Sequence, residues 1–221
     1  MEAGDSFGSA LSSLGAEQRA EVGNLVATHR LREQRDLFVA ALRAIEGAKS
    51  RTTSIEAIWT MPGHLAQSGA LTTSLVGLVR SARRSVVAST YNFQESSGMW
   101  EELRAAASRD GMSMTVYIDA EAASSGYGPS AVDIAEKLAP GTVFATKPFG
   151  GKKVRNHAKF VSIDHRFVVV TSANMSWSAE NANTELGVKI DDEGFAERLE
   201  RQLREAEEQV YSRVESSHRP E

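Results

Sequence analysis

The chain has 221 residues, of which 41% are hydrophobic and 24% charged, proportions typical of a soluble globular protein. It has no cysteine, which excludes disulfides, zinc–thiolate sites and thiol nucleophiles. We find neither a signal-peptide pattern at the start nor the ~20 consecutive apolar residues that span a bilayer. We therefore expect a cytoplasmic protein without a membrane segment, and the formal charge of −4 argues against a protein that coats DNA through its overall charge.

Residues 1–50 are predicted to form a helical N-terminal extension. Apolar residues recur at helical spacing from Leu11 to Ile45, and charged residues occupy the remaining faces. The polar stretch 49–53 indicates a boundary. We favour a structural cap on the rest of the chain over a partner-binding element.

Residues 51–215 alternate between strand and helix patterns, which predicts one α/β sandwich, with 216–221 as a frayed tail. Residues 120–129 are small and read as flexible, and 175–183 as a helical turn or loop. The predicted strands are 55–60, 85–92, 114–119, 142–146, a strand within 156–164, 167–172 and 184–190, with a tight turn at 165–166. The predicted helices cover 75–84, capped by Thr72 or Thr73, then 99–109 and 130–138, and a long helix that opens at 191–193.

The stretch 156–164 carries the densest set of reactive side chains. Because successive strand residues alternate, His157 and Lys159 share one face. The returning strand would bring Ser172 and Asn174 close beside them. An imidazole, an ammonium, a hydroxyl and an amide that converge at a strand end suit a tetrahedral oxyanion such as phosphate.

Cationic residues surround this stretch. Between Lys147 and Arg166 there are six lysines and arginines against Asp164 alone, a local balance of +5. Such a collar suits a polyanionic substrate. We expect weaker substrate contacts from the following residues: Lys152, Lys153, Arg155, Asn156 and, at the end of an earlier strand, Tyr91.

The order His157-x-Lys159-x4-Asp164, then Ser172-x-Asn174 and Glu185, resembles the HxKxxxxD signature of the phospholipase D superfamily, in its single-motif nuclease-like branch. The wider order, with Ile58-Trp59-Thr60 and Ser89-Thr90-Tyr91 upstream, resembles the DrmC family, the phospholipase D-like component of DISARM anti-phage defence systems.

The resemblance implies a phospholipase D-like α/β sandwich with a mixed central sheet flanked by helices, and a phosphodiesterase that needs neither a metal nor another cofactor. His157 would form a phosphohistidine while a second histidine protonates the leaving oxygen. Lys159, Ser172 and Asn174 would bind the non-bridging oxygens. Glu185 would accept a hydrogen bond from an imidazole Nδ1–H. Asp164 would be structural.

A single motif copy implies a C2 homodimer, in which the second His157 comes from the other chain. The DISARM resemblance implies nucleic acid as substrate, and a helicase-like protein and a DNA methyltransferase as neighbours. Two alternatives stay open. One is a lipid-directed phospholipase D or phosphatidyltransferase, although the sequence has no basic amphipathic stretch for a membrane surface. The other is a non-catalytic subunit that binds nucleic acid or scaffolds a defence complex.

Overall fold

The computed structural model describes residues 16–30, 33–49, 53–61, 71–124 and 128–216. The chain divides into two compact units, residues Met1–Thr52 and Thr53–Glu221. In the first unit the structure contains helices α1 (Ala16–Thr28) and α2 (Arg35–Lys49), within the region predicted to be helical. The part of that prediction that precedes residue 16 lies outside the described residues.

The second unit is a mixed eight-stranded sheet flanked by helices, and the predicted fold class is confirmed. The strands lie in the order β1-β7-β6-β5-β2-β3-β4-β8. They are β1 (Ser54–Thr60), β2 (Ser85–Thr90), β3 (Ser113–Ile118), β4 (Thr142–Thr146), β5 (Phe160–Ile163), β6 (Phe167–Thr171), β7 (Glu185–Asp191) and β8 (Tyr211–Arg213). The helices are α3 (Leu71–Ser81), α4 (Gly98–Ala107), α5 (Ala120–Ser124), α6 (Ala131–Leu138), α7 (Trp177–Asn181) and α8 (Glu193–Val210).

The sheet is parallel on one side and antiparallel on the other. Strands β2, β3 and β4 run parallel, and α4 and α6 supply the crossovers that parallel neighbours need. Strands β5, β6, β7 and β1 pair antiparallel; a tight turn connects β5 to β6, and a segment that contains α7 connects β6 to β7. The central strand β5 pairs antiparallel with β2 and joins the two halves.

Apolar side chains on both faces of the sheet pack against helices. The larger core lies between the sheet and helices α3, α4 and α6, and includes Leu75, Leu103 and Leu138. On the opposite face, Phe160 and Val168 pack under α8. Alternation along β5 explains this division, because Val161 and Ile163 face the larger core while Phe160 and Ser162 face α8.

Several predicted boundaries were wrong, each for a local reason. Helix α3 begins at Leu71, so Thr72 and Thr73 lie inside it; the backbone N–H of Leu71 donates instead to the Thr60 hydroxyl at 3.1 Å. Within the alternating stretch 156–164, only Phe160–Ile163 forms a strand, and the Lys159 carbonyl before it accepts the backbone N–H of Thr171 at 2.9 Å. Sequence reasoning also missed β8, which pairs with the edge of β4.

Part of the region predicted as flexible is helical. Helix α5 follows Asp119 directly, and the Asp119 Oδ1 atom accepts the backbone N–H of Ala122 at 2.8 Å. This is the geometry of a helix N-cap. The aspartate before Ala-Glu-Ala-Ala was the signal that composition obscured.

The turn between β5 and β6 centres on Asp164 and His165 rather than on residues 165–166. Both residues have left-handed backbones, with φ of 54° and 57°, and the Arg166 N–H donates to the Ile163 carbonyl at 3.0 Å. Two central residues with positive φ suit a tight turn between twisted strands. Aspartate tolerates this conformation better than most residues.

Asp164 also joins the turn to the loop before β2. Its carboxylate accepts the backbone N–H groups of Arg83, Arg84 and Ser85, at 2.7 Å for Arg84. Burial alone would raise the pKa of Asp164, but these backbone donors outweigh it and the pKa is lowered. Asp164 therefore lies one strand length away from Lys159, at the opposite end of β5.

We expect Asp164→Asn to lower the free energy of unfolding by about 1–3 kcal/mol at neutral pH, because the backbone donors lose a charged acceptor. Asparagine also tolerates positive φ, so the substitution removes the charge and one acceptor oxygen without disfavouring the backbone conformation. The lowered pKa means that the charge stabilises the fold above the unfolded-state pKa of about 3.9 and loses this effect as the pH falls through the folded-state pKa.

Urea unfolding at several pH values measures this difference, which should shrink in acid. The matched control is Asp110→Asn, which removes an exposed carboxylate elsewhere. Equal stability of Asp164→Asn and the wild type at neutral pH would contradict the structural role of the Asp164 carboxylate.

Candidate active site

One edge of the sheet collects the polar residues that the sequence singled out. Strands β1, β2, β3, β4 and β6 end at this edge, whereas β5 and β7 begin there. The residues just beyond these strand ends therefore become neighbours in space although they are far apart in sequence. They are Tyr91 after β2, Asp119 after β3, His157 and Lys159 before β5, Ser172 and Asn174 after β6, and Glu185 at the start of β7.

His157 and Lys159 contact each other directly. The Lys159 Nζ atom lies 3.3 Å from His157 Nδ1 and 3.5 Å from the His157 carbonyl oxygen. An ammonium can only donate, so Nδ1 is the acceptor when Lys159 is charged, and a neutral ring then carries its proton on Nε2. The His157 ring is exposed and lies 5.1 Å from the half-buried Tyr91 ring, centroid to centroid.

Lys159 is half-buried, and two opposing effects act on its pKa. Burial lowers the pKa of its ammonium, and the nearby Glu185 carboxylate partly opposes this shift. An ammonium with reduced hydration interacts more strongly with an anion than one fully exposed to water. The geometry therefore places a partly desolvated cation beside the imidazole.

Glu185 is a buried carboxylate that organises the end of β6. Its oxygens accept hydrogen bonds from the Ser172 hydroxyl and, at 2.9 Å, from the Asn183 side-chain amide. Ser172 is fixed further by Leu186, which accepts its backbone N–H and donates to its hydroxyl. In the single chain, Glu185 thus bonds to Ser172 and Asn183, whereas the His157 ring meets Lys159 and Tyr91.

Asn174 lies in the segment between β6 and α7. Its Oδ1 atom is buried and has no hydrogen-bond partner within the described part of the chain. The residue lines a cavity beneath the site together with Ser89, Thr171 and Glu180. A buried amide oxygen without a partner carries a free-energy cost, which a bound water or ligand donor would relieve.

Asn156, expected to contact substrate, is instead turned into the protein and only 2% exposed. Its side chain joins three strands, β2, β3 and β8, at the point where the chain enters the motif. The amide nitrogen donates to Ser89 Oγ and to the carbonyls of Thr90 and Tyr117, and the amide oxygen accepts from the Tyr211 hydroxyl. Asn156 therefore supports the backbone that carries His157.

Asp119 is fully buried, and sequence reasoning did not select it. One of its oxygens accepts the backbone N–H of Asn156 at 2.8 Å, and the other accepts Arg155 Nη1 at 2.9 Å. The same side chain caps α5 through Ala122. An aspartate at the end of a buried strand was the available sequence signal, since a charge there needs partners.

The cationic collar exists but is partly neutralised. Arg155 also pairs with Glu121 of α5 at 2.9 Å, and Lys153 pairs with the same carboxylate at 2.7 Å. Lys152 is exposed and ends a tight turn that Gly150 and Gly151 form with positive φ. The local balance of +5 counted along the sequence therefore overstates the local charge in space.

These observations define a phospholipase D-like protein: a mixed sheet whose strand ends gather a His-x-Lys pair, a serine–glutamate pair and an asparagine. The family described as "Cardiolipin synthase, PLD-like domain" matches residues 75–206, and the chain belongs to this family. The predicted membership of the phospholipase D superfamily is confirmed. No curated protein sequence gives a significant match to the chain.

Solved structures share the fold at low sequence identity. Nuc, a phospholipase D family member from Salmonella typhimurium, gives a TM-score of 0.59 at 20% identity, over 75% of this chain and 100% of its own. NucT from Helicobacter pylori gives 0.55 at 20% identity, over 71% of this chain and 98% of its own. A phosphatidylserine synthase from Haemophilus influenzae Rd KW20 gives 0.55 at 14% identity, over 74% of this chain but 40% of its own.

In the ranges that the structure describes, no helix has the length and apolar character needed to cross a membrane. Within the same ranges, histidine, aspartate and glutamate side chains form no group of three that could hold a metal ion.

The electrostatics of Lys159 can be measured directly by an NMR titration of its side-chain nitrogen. We expect its pKa to lie below the ordinary lysine value of about 10.4, because burial disfavours the charged form. Glu185→Gln should lower this pKa further, since the carboxylate that opposes the shift is removed. The ammonium would then lose its charge at a lower pH.

The control for this titration is Glu101→Gln, which removes an exposed carboxylate that pairs with Arg104 on α4. It should leave the Lys159 titration unchanged. A Lys159 pKa that rises in Glu185→Gln would contradict the electrostatic coupling between the two side chains.

Proposed function

We propose that this protein is a metal-independent nuclease that cleaves DNA or RNA through a phosphohistidine on His157. The observation that carries the proposal is the meeting of His157, Lys159 and the Ser172–Glu185 pair at one sheet edge in a chain of the phospholipase D-like family. Fixed donors and a nucleophile are what a phosphodiester requires, because its negative charge repels nucleophiles and its leaving alkoxide needs a proton.

In the proposed first step, a phosphodiester binds with its non-bridging oxygens on Lys159, Asn174 and Ser172. The Nε2 lone pair of His157 attacks phosphorus and the bond to the leaving oxygen breaks. A second, protonated imidazole gives its proton to that oxygen. This requires the His157 proton to reside on Nδ1, the atom that faces Lys159 in the single chain. Lys159 must therefore turn from Nδ1 to the phosphate, and a carboxylate such as Glu185 can then accept the Nδ1–H hydrogen bond.

In the proposed second step, water attacks the phosphohistidine and the second imidazole, now neutral, removes its proton. His157 is released and the product is a phosphomonoester. The two imidazoles hold opposite protonation states at each stage, so their titrations are coupled. Asp164 takes no part in these steps, since it lies at the far end of β5.

We infer that the second imidazole is His157 of another copy in a C2 homodimer. Two features support this: His157 is exposed at the sheet edge, and a mainly apolar groove adjoins it. The groove runs between β5, β6 and α8, and its lining includes Ala158, Val170, which is 43% exposed, and Leu203. A second copy that buried this apolar surface would bring the two motifs together.

The proposed setting is bacterial anti-phage defence in the cytoplasm, with this chain as the DrmC-like component of a DISARM system. The support is the order of sequence segments from Ile58-Trp59-Thr60 to Glu185, now placed on a phospholipase D-like fold. The partners would be nucleic acid and other DISARM subunits, including a helicase-like protein and a DNA methyltransferase.

A lipid-directed phosphatidyltransferase is the second candidate function, because the matching family is named for cardiolipin synthase. The same chemistry at phosphorus would then act on a phospholipid. A non-catalytic subunit that binds nucleic acid or scaffolds a complex is the third reading. All three make different predictions for one assay.

Purified protein in EDTA should cleave labelled DNA or RNA and leave phospholipid vesicles intact. His157→Ala should reduce the rate by about a thousandfold or more, as loss of a nucleophile does in other enzymes. The matched control is His29→Ala, which removes an exposed histidine from the first unit. Hydrolysis of lipid alone would favour the second candidate, and binding without turnover would favour the third.

Subunit mixing tests the shared site. Wild-type and His157→Ala chains are unfolded together, refolded at varied ratios and assayed. If each site needs two His157 side chains, activity falls with the square of the wild-type fraction, to about one quarter in an equal mixture. A linear decline to about one half would show that each chain acts alone and would contradict the composite site.

A further inference from the structure

Glu121 of α5 pairs with two cationic side chains near the candidate active site. Its carboxylate lies between two cationic side chains, with Lys153 Nζ 2.7 Å from Oε1 and Arg155 Nη2 2.9 Å from Oε2. The hydrogen bond from Lys153 is the main reason that the pKa of Glu121 is lowered, so the carboxylate is charged at neutral pH. Two cations that converge on one anion form a ready anion-binding site.

Arg155 has one permanent partner and one replaceable partner. Its Nη1 edge bonds to Asp119, which is fully buried, whereas its Nη2 edge bonds to Glu121, which is 39% exposed. Asp119 therefore fixes the orientation of the guanidinium plane. Displacement of the Glu121 carboxylate by another anion would leave the second edge of the guanidinium available to that anion.

This pair of cations lies next to the candidate active site. Arg155 precedes His157 by two residues, so their Cα atoms are at most about 7 Å apart. The Arg155 guanidinium lies 6.0 Å from the Tyr91 ring centroid, and the Tyr91 ring lies 5.1 Å from the His157 ring. A phosphate bound here would be a near neighbour, along one strand, of a phosphate held at His157.

We propose that Lys153 and Arg155 form a subsite for a backbone phosphate adjacent to the scissile one, and that Glu121 is a resident competitor that weakens polyanion binding there. This inference rests on the proposed nuclease function. It goes beyond it by assigning Glu121 an inhibitory role at the same site. A strand that enters the site must displace the Glu121 carboxylate before both cations engage its phosphate.

The competitor role predicts a gain of binding when Glu121 is changed. If the Glu121 carboxylate only stabilised the loop, its removal would leave the affinity for the polyanion unchanged or reduce it. Glu121→Gln keeps the size of the side chain and removes its charge. Loss of this charge should break two exposed ion pairs and free both cations for the oligonucleotide. Because exposed ion pairs are weak, we expect the affinity to increase by about two- to tenfold.

The test measures binding of a fluorescent single-stranded oligodeoxynucleotide in EDTA, with every protein in the His157→Ala background so that cleavage cannot interfere. Glu121→Gln should lower the dissociation constant by about two- to tenfold. It should also steepen the plot of log affinity against log salt concentration by about 0.7, the value for one further phosphate contact on a single strand.

The matched control is Asp191→Asn. Asp191 pairs with Arg166 at the opposite end of the sheet, so this change frees an arginine and alters the net charge by the same amount, away from the site. Its affinity should match that of the His157→Ala background. If Asp191→Asn increased the affinity as much as Glu121→Gln does, the increase would come from the net charge of the protein, and the proposal would be overturned.

A double mutant identifies the cations. In Glu121→Gln/Arg155→Ala the gain should be lost, because no paired subsite remains to be freed. Urea unfolding of Glu121→Gln checks that the fold is intact, and Glu121→Ala provides a second variant that also removes the carboxylate. Unchanged or weaker binding in both folded variants would overturn the competitor role.

Two further arms separate the possible outcomes. Vesicles that contain phosphatidylglycerol, assayed by co-sedimentation, test whether a lipid phosphate is the ligand; a gain on vesicles alone would overturn the assignment to nucleic acid. Cleavage by proteins that retain His157 is scored separately. If Glu121→Gln binds the oligonucleotide more tightly but no protein cleaves it, the subsite stands and the nuclease function is rejected. If the proteins cleave but Glu121→Gln does not bind more tightly, only the subsite is rejected.

Discussion

The arrangement of the site depends on the hydrogen bonds that the buried Asp119 carboxylate makes at the end of β3. It accepts hydrogen bonds from the backbone N–H of Asn156 and from Nη1 of Arg155. These bonds fix the backbone one residue before His157. Residues 153–159 belong to no strand, although the Lys159 carbonyl accepts the Thr171 N–H at 2.9 Å, so before Lys159 this anchor holds the backbone as sheet pairing does elsewhere. The Asn156 side chain adds bonds to strand ends on both sides and to Tyr211 of the edge strand.

Charge is organised in two layers around the histidine. Close to His157, the half-buried Lys159 lies near the Glu185 carboxylate, which balances part of the cost of burying the ammonium. Farther out, Lys153 and Arg155 are held by acids from the end of β3 and from α5. The outer cations are therefore both engaged in ion pairs within the chain.

Sequence reasoning captured the parts of the structure that depend on local pattern. The alternation of strands and helices gave the α/β class, and the spacing of His157, Lys159, Ser172 and Asn174 indicated that they would share one sheet edge, where the structure places them. It did not find Asp119 or the edge strand β8, because both acquire their meaning from partners distant in sequence. Asn156 was misread for the same reason: a polar residue beside a motif looks accessible until its four partners are known.

The central claim is that His157 itself becomes covalently attached to phosphorus, and a quenched-reaction experiment tests it directly. Protein and labelled oligonucleotide are mixed in EDTA, stopped at high pH where phosphohistidine survives, digested and analysed by mass spectrometry. The account predicts that the His157 peptide carries the cleaved strand through a phosphorus–nitrogen bond, seen after nuclease digestion as a nucleotide adduct, at up to about one per two chains because the paired sites share one phosphate. Cleavage that proceeds without an adduct on His157, or that EDTA abolishes, would contradict it.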